Sequence, residues 1–302
     1  MATEPVSRGH GRRAVLGSIA LAAIGTPIVL TERWANAAPN SSADVLDSGI
    51  GLAPAGGKPA GGTSTGGIEI QAAQQLWSPN PATDGLKAFE GIEADRAGPH
   101  PGRKYIYVEG DHYRFDIYKD DRDSTGGGDR QRTESKGMVQ NGTALKMKNG
   151  ETWRITYELF MPSTLHGTSK FTHIFQLKTP ATNGGPWVTM SLSRSGSTEK
   201  LRLRAFSTDG APDIGSTNLA PLREKWIAVE LTFKIGTSGT GRLLIRDGST
   251  VVVDSSRSGV KIPDEGDYVR PKWGIYRSIE SASSDIINTH LLIRNYKAYK
   301  GT

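Results

Sequence analysis

Cysteine is absent from all 302 residues, so a disulfide framework, a thiolate metal site and a cysteine nucleophile are excluded. Histidine is scarce, six in all, and scattered, with no His-x-x-x-His pair, so a zinc site is not expected. Helix-period stretches of any length are missing; residues 72–77 and 221–225 are the short candidates. There is no zinc-finger spacing and no basic helix, so nucleic acid is not an expected partner. Glycine is plentiful at 37, and Ser-Arg-Ser-Gly at 193–196 is not the Gly-x-Ser-x-Gly that a nucleophile elbow needs. Without bridges the chain must bury a sizeable apolar core, which its length allows.

The N-terminus carries Arg12-Arg13 before Val15-Leu16, then an apolar run over 18–30, then the small-x-small site Ala35-Asn36-Ala37. That layout predicts a twin-arginine export signal over residues 1–37, removed on secretion to the outside of the cell. The run holds nine apolar residues, three of them alanine, broken by Gly25 and Pro27, and a membrane span needs ~20. No membrane association is expected once it is gone. The remaining chain has 33 Lys+Arg against 29 Asp+Glu, a surplus of +4 that suits a polyanionic partner without demanding one. Residues 38–67 are rich in Gly, Pro, Ser and Ala, too poor in large apolar groups to offset ordering entropy, and read as a flexible linker. A single domain is expected over 68–302, acting as a monomer.

That domain reads as strands. Apolar alternation recurs over 104–108, 112–118, 152–160, 200–206, 226–235, 242–246, 250–254 and 289–299, each stretch bounded by Gly, Pro, Asn or Asp. Arg246-Asp247-Gly248-Ser249-Thr250 predicts a tight hairpin. Many short antiparallel strands predict an all-β jelly roll, a concanavalin A-like sandwich, with one sheet face free to form an open cleft.

Three further strands carry polar residues in phase, since i, i+2 and i+4 share a face. In the first, Arg130, Arg132, Glu134 and Lys136 lie together. Alone this suits a solvated edge strand; functionally, it suits a guanidinium held by a carboxylate and aimed at an anion. In the second, Gln176 and Lys178 share a side with Thr172 and Ile174. His173 falls with Phe171, Phe175 and Leu177, as a core histidine, unless a bulge re-aims it. In the third, Lys272, Gly274 and Tyr276 share a face opposite Trp273 and Ile275, and Gly274 leaves a notch where a ligand backbone fits.

Taken together, Arg132-Thr133-Glu134, Gln176-Leu177-Lys178 and Lys272-Trp273-Gly274-Ile275-Tyr276 resemble the three motifs of the jelly-roll polysaccharide lyases, in the same chain order as in the alginate lyases. Lys178 stands where the alginate lyases have His, and with Trp-Gly-Ile-Tyr this is more similar to the branch of heparin lyase I and the glucuronan lyases. The resemblance implies metal-independent β-elimination at a uronic acid residue of an acidic polysaccharide. Such chemistry needs the substrate carboxylate neutralised, a base for the C5 proton and an acid for the leaving oxygen. By resemblance, Arg132 and Gln176 hold the carboxylate and Glu134 orients Arg132. Tyr276 is the acid and serves also as base, with His173 the alternative base. Lys272 and Lys178 lower the tyrosine pKa and bind the anionic chain, as do Arg130 and Arg270. Glucuronan-like polymers are the first expectation, alginate or heparin-like chains the next. No cofactor is expected.

Other signals carry less. Glu93-Ala94-Asp95 lacks the second Glu of a retaining glucanase strand. Asp116, Asp120, Asp121, Asp123 and Asp129 offer oxygen ligands for a structural Ca²⁺, but basic and glycine residues interleave them as in a solvated loop. The reading from another class is a non-catalytic carbohydrate-binding module using Trp77, Trp187 and Trp226 as platforms.

Overall fold

Alternation of large apolar with polar residues buries one face of each strand, and two such sheets close on one another. In the computed structural model, residues 73–123, 128–180, 185–206 and 212–301 are described. The export signal and the linker lie outside them. The strands in chain order are β1 (Gln74–Trp77), β2 (Gly91–Ala94), β3 (Ile106–Glu109), β4 (His112–Ile117), β5 (Arg130–Lys136), β6 (Val139–Gln140), β7 (Thr143–Ala144), β8 (Thr152–Phe160) and β9 (Thr172–Lys178). They continue with β10 (Val188–Ser195), β11 (Thr198–Ala205), β12 (Asp213–Asn218), β13 (Trp226–Lys234), β14 (Gly236–Asp247), β15 (Thr250–Ile262), β16 (Arg270–Ser278) and β17 (Thr289–Gly301).

One sheet has the order β15-β14-β13-β8-β17-β4-β3, with β1 added on β17; the other runs β12-β11-β10-β9-β16-β5-β2. All the pairings within them are antiparallel. Between them lies an aromatic core. Trp77 stacks on Trp273 at 5.6 Å, Phe175 on Phe233 at 6.3 Å, and Tyr296 meets Trp273 edge-on at 5.0 Å. The expected jelly-roll sandwich is the observed architecture.

Two local expectations change. Residues 74–77 are strand β1, not helix, because Trp77 finds its place in the core at 1% exposure. At 220–222 the chain makes a single 3₁₀ turn. The short α-helix is at Pro81–Asp84, where Asn80 Oδ1 accepts from Ala82 N at 3.0 Å and proline sits in the first turn, a standard start. The string 193–196 ends β10 and enters a two-residue turn, Ser195 pairing Thr198 with Gly196 at φ +59°. The hairpin at 246–250 is as predicted, with Asp247 opposite Thr250 and Gly248 at φ +56°.

Candidate active site

The three polar strings become neighbours, β9-β16-β5, all interior strands of the seven-stranded sheet. β5 is therefore interior, flanked by β2 and β16, and not a solvated edge. Its inward residues Gln131, Thr133 and Ser135 are buried, as are Trp273, Ile275 and Arg277 of β16. The outward set is Arg130, Arg132, Glu134 and Lys136 beside Lys272 and Tyr276.

Register then aligns residues across the sheet in two rows. Arg202, Ser191, His173, Tyr276 and Arg132 are successive cross-strand partners; so are Arg204, Thr189, Gln176, Lys272 and Lys136. Both rows depend on an irregularity in β9. Phe175 pairs Met190 and His173 pairs the very next residue, Ser191, so Ile174 is an extra residue relative to β10. The bulge turns His173 away from Phe175 and Leu177 to the outer face, while Ile174 packs in the core at 1% exposure. The conditional alternative for His173 is thus the geometry found. Its ring stacks on Phe171 at 4.9 Å and lies 5.9 Å from the ring of Tyr276.

Glu134 is the hub. It is fully buried and accepts from Arg132 Nη1 at 2.6 Å, from Lys272 Nζ at 2.7 Å, and from Gln176 Nε2. Burial pushes its pKa up, but Lys272 and Arg132 beside it outweigh that and hold the carboxyl below its ordinary range. Lys272 also donates to Glu93 at 2.7 Å, and Arg132 reaches Asp123 at 3.0 Å and Glu93 at 3.3 Å. Against its burial, Lys272, Arg132 and Lys136 draw Glu93 down to about 2. These carboxylates keep cations folded inward that would otherwise repel one another.

Tyr276 sits on this platform. The Arg132 guanidinium lies 3.7 Å from its ring centroid, and Arg130 Nη1 donates to its Oη at 2.9 Å. Burial raises the phenol pKa, with Arg132 and Arg130 opposing, and the net direction is up. The cations around the phenol are therefore arginines. The expectation that Lys272 and Lys178 lower its pKa is corrected: Lys272 is 4% exposed and engaged by two carboxylates. Lys178 is half-buried next to Arg270, its cross-strand partner, and burial, with Lys272 and Arg132 nearby, lowers its own pKa. Arg270 pairs with Glu90 at 2.7 Å. His173 is 3% exposed, and burial drops its pKa to about 3, so the imidazole is neutral.

Gly274 also differs from expectation. At φ +133°, a Cβ there would lie 2.0 Å from the Thr133 carbonyl oxygen, so the glycine admits the neighbouring strand, not a ligand. The acidic run is solvated only in part: Asp120 is exposed and Asp129 half-buried, Asp121 and Asp123 are buried, and each of the five carboxylates pairs with an arginine, Arg103 serving both Asp120 and Asp121. The tryptophans do not form a common platform. Trp77 is in the core, Trp187 is partly buried against it, and Trp226 lies on the other sheet beneath Arg294 at 4.2 Å. A depression of about 410 Å³ exists on that other sheet, lined by Glu158, Glu230, Arg246 and Lys297, away from the cluster. It has no histidine, and its one tyrosine, Tyr157, is buried in the core at 3% exposure.

Sequence reasoning missed Glu93, Asp123, Ser191 and Thr189. Glu93 and Asp123 come from separate segments with no motif, and their role appears only when Arg132 and Lys272 are found between them.

No family model and no curated protein matches this chain. Among solved structures, alginate lyase A1-II′, a member of polysaccharide lyase family 7, is similar at 12% identity with a TM-score of 0.52, covering 75% of this chain and 100% of that one. Alginate lyase PA1167 from Pseudomonas aeruginosa, at 12% identity and a TM-score of 0.49, covers 70% of this chain and 98% of its own. The marine alginate lyase AlyA1 from Zobellia galactanivorans, at 13% identity and a TM-score of 0.44, covers 78% and 97%. What the chain shares with A1-II′ is the fold: two antiparallel sheets in a jelly-roll sandwich.

Proposed function

We propose that the protein is a polysaccharide lyase that cleaves a uronate-containing polysaccharide by β-elimination. The observation that carries this is the Tyr276 phenol, gripped by Arg130 and Arg132 and flanked by neutral His173. Alginate lyase A1-II′, which shares the fold, adds to it.

In this reading the uronate carboxylate is neutralised by donors that Glu134 orients, Arg132 and the second N–H of the Gln176 amide. His173 takes the C5 proton, the C4–O bond breaks as the C4–C5 double bond forms, and Tyr276 gives its proton to the leaving glycosidic oxygen. The phenolate left behind is stabilised by the two arginines until solvent restores the proton from His173. A tyrosine serving also as base would have to start ionised. Burial disfavours that, so His173 is the better base. Lys178, Arg270 and Arg130 bind the polyanion.

A glucuronan-like polymer is the first substrate proposed, alginate and heparin-like chains the next. A polymer of this size is met outside the cell, consistent with the proposed export signal. A binding module is disfavoured by the scattered tryptophans. Incubation with glucuronan, alginate, pectate and glycosaminoglycans tests the proposal: an ultraviolet-absorbing unsaturated end is expected from at least one, and none from any would overturn it.

A further inference from the structure

We propose that Ser191 and Thr189 are positioning residues that fix the tautomer of His173, placing the proton on Nδ1 and the lone pair on Nε2. This rests on the proposed lyase reading for its catalytic meaning, though not for its geometry.

Ser191 Oγ lies 2.7 Å from His173 Nδ1 and donates to Thr189 Oγ1 at 3.1 Å. A serine hydroxyl owns one proton and two lone pairs. With that proton given to Thr189, Ser191 faces the imidazole only as an acceptor, so Nδ1 must carry the hydrogen. The reverse chain would leave an N–H on Nε2. A lone pair there is what proton abstraction requires.

The device is built into the sheet. Ser191 is the direct cross-strand partner of His173 because of the extra residue Ile174, and Thr189 lies two residues along the same face of β10. Thr189 and Ser191 are both buried, at 0% and 6% exposure, so water does not compete for these hydroxyls. Neutrality of the ring, with its pKa near 3, makes the choice of tautomer matter at every working pH.

The test is nitrogen-15 NMR of histidine-labelled protein at neutral pH, with the His173 signals identified by their loss in His173→Gln. The wild type is expected to show protonated Nδ1 and unprotonated Nε2; a protonated Nε2 would overturn the proposal. Ser191→Ala should mix the tautomers and lower kcat on the order of 10–100-fold with KM within about twofold, while Ser191→Thr keeps both near wild type. An unchanged tautomer and kcat in Ser191→Ala would also overturn it. The NMR measurement needs no substrate, so it stands or falls separately from turnover of any uronan.

Discussion

At the scale of single residues, the phenol of Tyr276 and the hub at Glu134 separate chemistry from support. Removing only the hydroxyl, in Tyr276→Phe, is expected to lower kcat by about 10²–10⁴-fold with the melting temperature little changed. Near-full turnover would show that another group protonates the leaving oxygen. Glu134→Gln does the opposite kind of damage, because it takes from Arg132 and Lys272 the fully buried one of the two carboxylates they share, leaving Glu93. A loss of roughly 3–5 kcal/mol in urea denaturation is expected, partly recovered by adding Lys272→Met. Acid stability follows from two depressed groups. His173 titrates near 3 when folded against an ordinary 6.5, so the unfolded chain takes up a proton that the folded chain refuses. Its contribution is present above about 6.5 and lost as pH falls toward 3. Glu93, near 2 against 4.5, adds a loss of the same sign between about 4.5 and 2. In denaturant titrations across pH, His173→Gln should flatten the upper part of that slope and Glu93→Gln the lower.

Among the elements, β9 and β16 decide whether a site exists. Period-two reading placed Gln176 and Lys178 on one face and Lys272 and Tyr276 on another, and the sheet sets these faces together. It put His173 in the core, because simple alternation carries no information about a bulge; only pairing with Met190 and Ser191 reveals Ile174 as the extra residue. Gly274 was legible as special but for the wrong neighbour. Gly274→Ala forces a side chain at φ +133° into the Thr133 carbonyl of β5. A destabilisation above about 3 kcal/mol is expected from strain and overlap together, measured by thermal or urea unfolding. Less than about 1 kcal/mol would mean that β5 and β16 separate easily there.

For the whole molecule, the two cross-strand rows of the seven-stranded sheet carry Arg132, Lys136, Arg202, Arg204 and Lys272. Each close pair is screened little by salt because it is partly buried, whereas attraction of a long polyanion acts over distances that salt shortens. KM for a uronan is therefore expected to rise severalfold between about 0.05 and 0.5 M NaCl, with kcat nearly constant, in initial-rate assays. A flat KM would indicate that hydrogen bonds and shape, not charge, hold the polymer.

By itself the sequence determined the strand class, the hairpin at Asp247 and Gly248, and the grouping of Arg130, Arg132, Glu134 and Lys136 on one face, since each depends on neighbours a few residues apart. Tertiary structure alone decided that Glu93 and Asp123 clamp Arg132, that His173 turns outward, and that Ser191 meets its ring. Those facts arise from register between strands far apart in the chain, where one added residue exchanges core for surface.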